Sequence, residues 1–429
     1  MINNTDLPKY LFLFVLCCLV LPCIQGVTHL MKEKALKGDI ILIAAPEFTK
    51  QGWLEGDYQT VKEKQINEAF GFRSYCIRLN NQIAFTFFNK AQANGVIIGK
   101  DNYLYEENYI KAYYGTDFIG EENVRTRMEK LKFVNDTLAK LNKTIIMVVA
   151  AGKGFYYPEY IPDSYATKRT RTNVEAYTEY AKKFGIHCID FNRYFVEQKP
   201  IYKHLLYPKN SIHWSVLGAE IAADSLIRYI ETVRGIDMPN LHWKETETQY
   251  KREEDADHDI EDGMNLMFRL SSEPMAYPKV YFESDSAKTK PSALVIGDSF
   301  YWTMINNDVP NVFTNPHYWY YNKQIYPGNG STDLVNIKDE LDRHDVIVIM
   351  ATPATMPTYG WGFIENAYAF YTNGDVDSNK FGKRVDDFKA FIKSNPVWLH
   401  DAQKRARENG ISLDSSITLD AIYQVKLLY

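Results

Sequence analysis

Three uninterrupted apolar runs constrain what this chain can build: 144–151 (TIIMVVAA), 292–297 (SALVIG) and 345–350 (DVIVIM). A strand with one wet face alternates apolar and polar residues, whereas a Val- and Ile-rich run without alternation fits a strand buried on both faces. Stretches at helical spacing occupy 121–141, 174–184, 216–230 and 332–341, and a short strand is expected at His187–Phe191. Helices alternating with such strands imply a mainly parallel sheet covered on both sides. The 429 residues suffice for one large or two ordinary domains.

Around that frame the chain divides in three. Residues 1–37 form an N-terminal segment, 38–378 the sheet-bearing domain, and 379–429 a helical extension. Within the domain, a short apolar run at 40–45 precedes two helical stretches, and a hairpin is expected over 95–105, where a Gly-Lys-Asp-Asn turn joins two strands. The polar stretch 245–262 interrupts the sheet as an insertion. In it, Asp255-Ala256-Asp257-His258-Asp259 lacks the sixth-position glycine of a calcium loop and reads as a solvated acidic loop.

Tyr10–Ile24 (YLFLFVLCCLVLPCI) is apolar throughout, and with its mildly polar continuation it approaches the roughly 20 residues that cross a bilayer. No convincing Ala-x-Ala-like cleavage site follows, so an uncleaved membrane anchor is expected ahead of a removed signal peptide, and in either case the rest of the chain lies outside the cytoplasm. The formal net charge of −5 leaves no footprint for nucleic acid. Outside the apolar segment only Cys76 and Cys188 remain, too few for a disulfide framework and without metal-ligand spacing; neither metal nor cofactor is expected.

The run at 292–297 ends in Gly297-Asp298-Ser299-Phe300. A serine delivered to the rim of a sheet at a sharp turn is placed for nucleophilic chemistry, and such chemistry needs a base. His213 is the candidate, in Asn210-Ser211-Ile212-His213-Trp214-Ser215, where Ser215 is a plausible N-cap. His344 precedes a strand and so falls on the opposite rim, solvated. His317 follows an expected strand at 311–314, and with Trp319 and Tyr320 it could line a sugar groove. Lys153 stands in a Gly-Lys-Gly turn after a buried strand, and Asp298 is expected to cap its own turn.

Gly297-Asp298-Ser299-Phe300 together with His213-Trp214-Ser215 and Gly218-Ala219 resembles the SGNH-hydrolase-like proteins of the alginate O-acetyltransferase AlgJ/AlgX and DHHW type, in which the His-Trp block precedes the Gly-Asp-Ser block. The likeness spans roughly 38–363. It implies an SGNH/flavodoxin-like three-layer α/β sandwich, membrane-tethered outside the cytoplasm, that moves acetyl groups to a polysaccharide. The acetyl donor would be a multispanning membrane acyltransferase partner, Ser299 the nucleophile and His213 the base. Lys153, Asp298, His317, Trp319 and Tyr320 are the candidate substrate contacts. One position departs from the family: its members carry Asp two residues before the histidine, where this chain has Ser211. Ser211 can accept a hydrogen bond without supplying charge, which makes it a weak orienter. A bare Ser-His pair, a carboxylate from elsewhere, or decayed catalysis all remain open. A carbohydrate esterase on the same residues and a non-catalytic glycan-binding scaffold are the alternatives.

Overall fold

A computed structural model describes residues 7–38, 45–252, 255–283, 287–328, 330–373 and 378–426. The apolar run at 40–45 falls almost wholly outside them.

Helix α1 (Leu7–Thr28) is apolar along its length and exposed on all sides but its end, where Gln25 is buried. Among the described residues it is one helix long and apolar enough to cross a membrane. Two short helices follow, then α2 (Arg73–Phe88). Gly71, just before α2, lies so close to Pro22 and Gly26 of α1 that a side chain could not fit. The hairpin pairs Val96–Ile98 with Leu104–Glu106.

The central sheet has seven strands: β1 (Thr144–Val149), β2 (His187–Asp190), β3 (Ser292–Gly297), β4 (Thr314–Tyr320), β5 (Gln324–Tyr326), β6 (Gly330–Ser331) and β7 (Val346–Ala351). Their spatial order is β6-β5-β4-β3-β7-β1-β2. From β4 to β2 every pairing is parallel, whereas β5 and β6 are antiparallel additions at one edge, so the sheet is mixed. That edge went unforeseen. β4 begins at Thr314, where the expected strand was to end, and Val309–Val312 is a 3₁₀ turn carrying Pro310.

Both faces are covered, as strands without alternation require. Ala293, Val295, Val346, Val348, Met350, Ile146 and Val148 point into one core; Leu294, Ile296, Ile347, Ile349, Ile145, Met147 and Val149 point into the other. Successive residues of a strand face opposite ways, so each run supplies both cores at once. Helices α3 (Glu121–Ala139) and α4 (Asn173–Phe184) cover the second face. On the first face lie α5 (Val216–Arg234), the hairpin, and the short helix α6 (Asp259–Met264) from the 245–262 stretch. Helix α7 (Phe363–Asn373) returns to the second face. At the C-terminus, Ser378–Ser394, Pro396–Glu408 and Leu413–Lys426 pack around a small core of their own, including Ile392, Ala402, Ile417 and Ala421.

Candidate active site

In a parallel sheet, the loops leaving the carboxyl ends of the strands form the functional rim. β3 delivers Asp298 and Ser299 to that rim, and the helix Tyr301–Asn306 starts directly afterwards. Asp298 braces the turn: its carboxylate accepts from the main-chain N–H groups of Phe300 (3.2 Å) and Thr352 (2.8 Å) and from the Thr355 hydroxyl (2.8 Å). Burial pushes its pKa up against those bonds. Asp298 is buried and its bonds are to the turn itself, so it belongs to the scaffold.

His213 reaches the same rim on the loop before α5, where the Ser215 hydroxyl accepts from the Gly218 N–H at 3.0 Å and caps the helix. Trp214 is fully buried against Phe300 (5.3 Å between ring centres) and Phe195 (6.0 Å). This packing locks the His-Trp block to the residue after the serine. His213 Nε2 then lies 2.7 Å from Ser299 Oγ.

The other ring nitrogen corrects the assignment of Ser211. His213 Nδ1 is hydrogen-bonded to Asp259 Oδ2, not to Ser211. The Ser211 hydroxyl donates to the Ala256 carbonyl and accepts from the His213 main-chain N–H at 2.9 Å, so it shapes the loop and never touches the imidazole. Asp259 opens α6, and its second oxygen accepts from the Ile212 N–H at 3.0 Å and the Ile260 N–H at 2.6 Å. The acidic stretch is therefore not a solvated loop. Ile260 and Met264, four residues apart, are buried in the core below, which presses the helix onto the sheet and aims Asp259 at His213. That spacing of two apolar residues in an acidic segment is the one sequence signal for the element.

The electrostatics follow from the geometry. Burial disfavours the His213 cation, but the Asp259 carboxylate, with Asp298 and Glu106 beyond it, overrides this and raises the pKa above the usual histidine value. For Asp259, burial works against the carboxylate, and the imidazole and the bonds from Ile212 and Ser211 outweigh it, holding the carboxyl below its ordinary range. Glu106, at the end of the hairpin, is a third carboxyl near the site; burial and the nearby Asp259 push its pKa up. The Tyr321 hydroxyl lies beside Ser299, and burial raises its phenol pKa. Glu106 had no sequence signal that set it apart from other polar residues, whereas Tyr321 belongs to the aromatic cluster 318–321 that the sequence marks as a candidate groove lining.

The remaining expected contacts separate. Lys153 is fully buried behind the His213 loop, and its ammonium donates to the carbonyls of Lys209 (2.7 Å) and Ser211. It positions the loop from behind and is out of reach of substrate. Lys153→Met leaves both carbonyls without that donor, at a cost of about 2–4 kcal/mol. A thermal unfolding midpoint below that of the native chain is the expected reading.

His317 pairs with Leu294 near the amino end of β3, on the rim opposite Ser299. There it meets Glu340 Oε2 at 2.7 Å and the ring of His344 at 4.9 Å. His344 is on that rim as expected, but fully buried and not solvated. Trp319 points into the other core against Phe363 (5.9 Å), because alternation along β4 turns it away from Tyr318 and Tyr320. Tyr320 alone of the expected aromatics flanks the site: it pairs with Gly297, is half-buried, and packs near Trp302 (5.8 Å) and Tyr321 (4.5 Å).

Residues 96–299 match the family model described as "SGNH hydrolase-like domain, acetyltransferase AlgX". A protein of Pseudomonas syringae pv. tomato named "Probable alginate O-acetylase AlgJ" is 25% identical over 176 residues, 40% of this chain and 42% of the relative. Its namesake from Azotobacter vinelandii is 21% identical over 180 residues, 42% of this chain and 45% of that one. The chain thus matches less than half the length of these curated relatives. Among solved structures, the O-acetyltransferase domain of Pseudomonas putida AlgJ is 12% identical (TM-score 0.42; 64% of this chain, 98% of that one), and Pseudomonas aeruginosa AlgX is 13% identical (TM-score 0.43; 63% and 67%).

Proposed function

We propose that this chain, which resembles the SGNH-hydrolase-like proteins of the AlgJ/AlgX and DHHW type, transfers an acetyl group to a polysaccharide hydroxyl through an acetyl-serine at Ser299. The observation that carries the reading is the unbroken line Ser299 Oγ, His213 Nε2, His213 Nδ1, Asp259 Oδ2 on one rim of the sheet. Its elements are those of an acyl-transfer triad, recognised by geometry and not by chain order.

In the first half-reaction His213 accepts the Ser299 proton as Oγ bonds to the carbonyl carbon of the donor ester. Collapse of the tetrahedral intermediate breaks the bond to the leaving oxygen, which takes the proton back from His213. The enzyme then carries the acetyl ester. In the second half-reaction His213 removes the proton of the acceptor hydroxyl, whose oxygen attacks the acetyl carbon, and Ser299 leaves with that proton. Asp259 stays ionised throughout, keeping the Nδ1–H tautomer and offsetting the charge of the imidazolium. The Tyr321 hydroxyl, beside Ser299, can donate to the developing oxyanion.

Tyr320, Trp302 and Tyr326 form the acceptor platform in this reading. Trp302 and Tyr326 meet edge-to-face at 4.6 Å, and all three are half-buried, which suits stacking with a sugar ring. We further propose 1–37 as a membrane anchor, 38–378 as the catalytic domain facing outside the cytoplasm, and 379–429 as a helical appendage. A multispanning acyltransferase in the same membrane is the proposed source of acetyl groups.

The reading is tested with the full chain in detergent, p-nitrophenyl acetate as donor and alginate oligosaccharides as acceptor. O-Acetylated oligosaccharide, with p-nitrophenol release that rises with acceptor concentration, is the expected result. Release indifferent to acceptor, with acetate the sole product, makes water the acceptor and the protein an esterase.

A further inference from the structure

The carboxylate that serves His213 rides on a helix whose far end is held by the N-terminal part of the chain. Helix α6 has six residues; Asp259 opens it, and Asn265 caps it in the left-handed conformation at φ 49°. So short a helix, about 9 Å long, moves as one piece. A shift at its end is therefore carried to Asp259.

That end is gripped from two sides. On α2, Arg78 donates to the Leu266 carbonyl (3.2 Å), Asn81 donates to the Met264 carbonyl (2.9 Å), and Gln82 accepts from the Phe268 N–H (3.1 Å). Positions 78, 81 and 82 share one helix face, so α2 presents a polar stripe to the backbone after α6. From the stalk after α1, the Lys37 N–H donates to Asn265 Oδ1 and Asn265 Nδ2 donates back to the Lys37 carbonyl, both at 2.9 Å. Arg78 joins the two grips. Its guanidinium is buried, and its second arm donates to the Ala35 carbonyl of the stalk at 2.8 Å. Burying a guanidinium is costly unless its hydrogen bonds are made; here the two terminal nitrogens are used on main-chain carbonyls of two segments far apart in sequence, and Nε is left without a partner among the described residues.

The stalk is in turn tied to the membrane-length helix. Gln25, at the end of α1, exchanges hydrogen bonds with the main chain of Met31 (2.7 and 3.0 Å). Glu33 accepts from the Phe72 N–H (2.7 Å) and the Ser74 hydroxyl (2.8 Å) at the start of α2. A continuous line of contacts thus leads from α1 through the stalk and α2 to α6, Asp259 and His213.

We propose that Arg78, Asn81 and Asn265 are positioning residues for the reaction, seating Asp259 against His213 so that turnover depends on how the N-terminal helices and stalk are docked. The proposal rests on the triad reading above. It follows from where the acid comes from: a carboxylate two residues before the histidine would be fixed by its own loop, whereas one on α6 is only as well placed as the clamp behind α6.

The test compares Arg78→Met, Asn265→Gly and Asp259→Asn in the full chain in detergent, reading kcat and KM for p-nitrophenyl acetate across pH. Arg78→Met is expected to lower kcat about 10- to 100-fold, the loss that about 1 Å of misplacement causes, with KM unchanged. Asn265→Gly keeps the left-handed backbone at no steric cost and removes the clamp to Lys37 together with the 3.1 Å bond from Asn265 Nδ2 to the Gly263 carbonyl, while the grip of α2 stays, so it should act in the same direction and less strongly. In both, the acid limb of the profile should move to lower pH. His213 is faced by Asp259, Asp298 and Glu106, and of these only Asp259 is carried by the clamped helix. Native kcat in both variants overturns the proposal, and so does a loss that tracks the folded fraction by circular dichroism with the acid limb unmoved. Should Arg78→Met fail to fold, Asn265→Gly decides alone. If Asp259→Asn turns over normally the triad reading itself fails; if Asp259→Asn is impaired while both clamp variants behave as native, the clamp alone is overturned.

Discussion

Asp259→Asn is expected to lower turnover of an acetyl ester by about 10⁴-fold, the loss seen when a triad aspartate becomes an amide, while Ser211→Ala stays within about tenfold of the native rate. The contrast is decisive because the two residues compete for one role. Asn at 259 keeps the shape of the side chain but lacks the charge that supports the imidazolium, and with its one oxygen held by the Ile212 and Ile260 N–H groups it turns an NH2, not an acceptor, toward Nδ1 and so selects the wrong tautomer. Ser211 bonds main-chain groups of its own loop and of Ala256 and supports Asp259 from the side, without reaching the imidazole. The pH profile adds a second readout. Activity needs His213 neutral, so the rate rises with pH through the imidazole pKa, which Asp259 holds above the usual histidine value. Removing that carboxylate lowers the pKa, and the acid limb should move to lower pH even as the plateau falls. A limb that stays in place, or an equal loss in Ser211→Ala, contradicts the assignment.

Ser299→Ala carries the larger effect, a loss on the order of 10⁶ in kcat, since it removes the bond-forming atom itself. His213→Ala should come close to it, and the double variant should be little worse than either, because nucleophile and base act as a unit. Neither change should unfold the protein: Ser299 and His213 sit at a rim, and the packing of Trp214 on Phe300 that fixes the rim is untouched. Circular dichroism and kinetics on the same samples check both halves of this expectation.

How much of this was legible in the sequence depends on how far apart the partners lie. The runs at 144–151, 292–297 and 345–350 declared themselves as doubly buried strands because each residue is read against its own neighbours, and those strands became β1, β3 and β7. The antiparallel edge was not legible. β5 and β6 are three and two residues long, shorter than any pattern of alternation needs. At the site, Ser299 and His213 were found because each sits in a punctuated motif at the boundary of an element, and the fold brings them together. Asp259 lacked that context: an acidic residue among acidic residues, 46 positions from the histidine it contacts, looks solvated until the burial of Ile260 and Met264 is seen. Lys153 and Trp319 misled for a related reason. Charge and aromatic area both suggest a surface for ligands, but alternation along β4 and the orphaned carbonyls behind the His213 loop claim these side chains for the interior.

Trapping the covalent intermediate bears most directly on the central claim. The full chain is mixed with p-nitrophenyl acetate without acceptor, quenched in acid, and its intact mass recorded beside Ser299→Ala. The native chain should gain the mass of one acetyl group, located by peptide mapping to the segment containing Ser299, and Ser299→Ala should gain none. Acetylation of equal extent in both proteins, or an adduct mapped to any other residue, would contradict it.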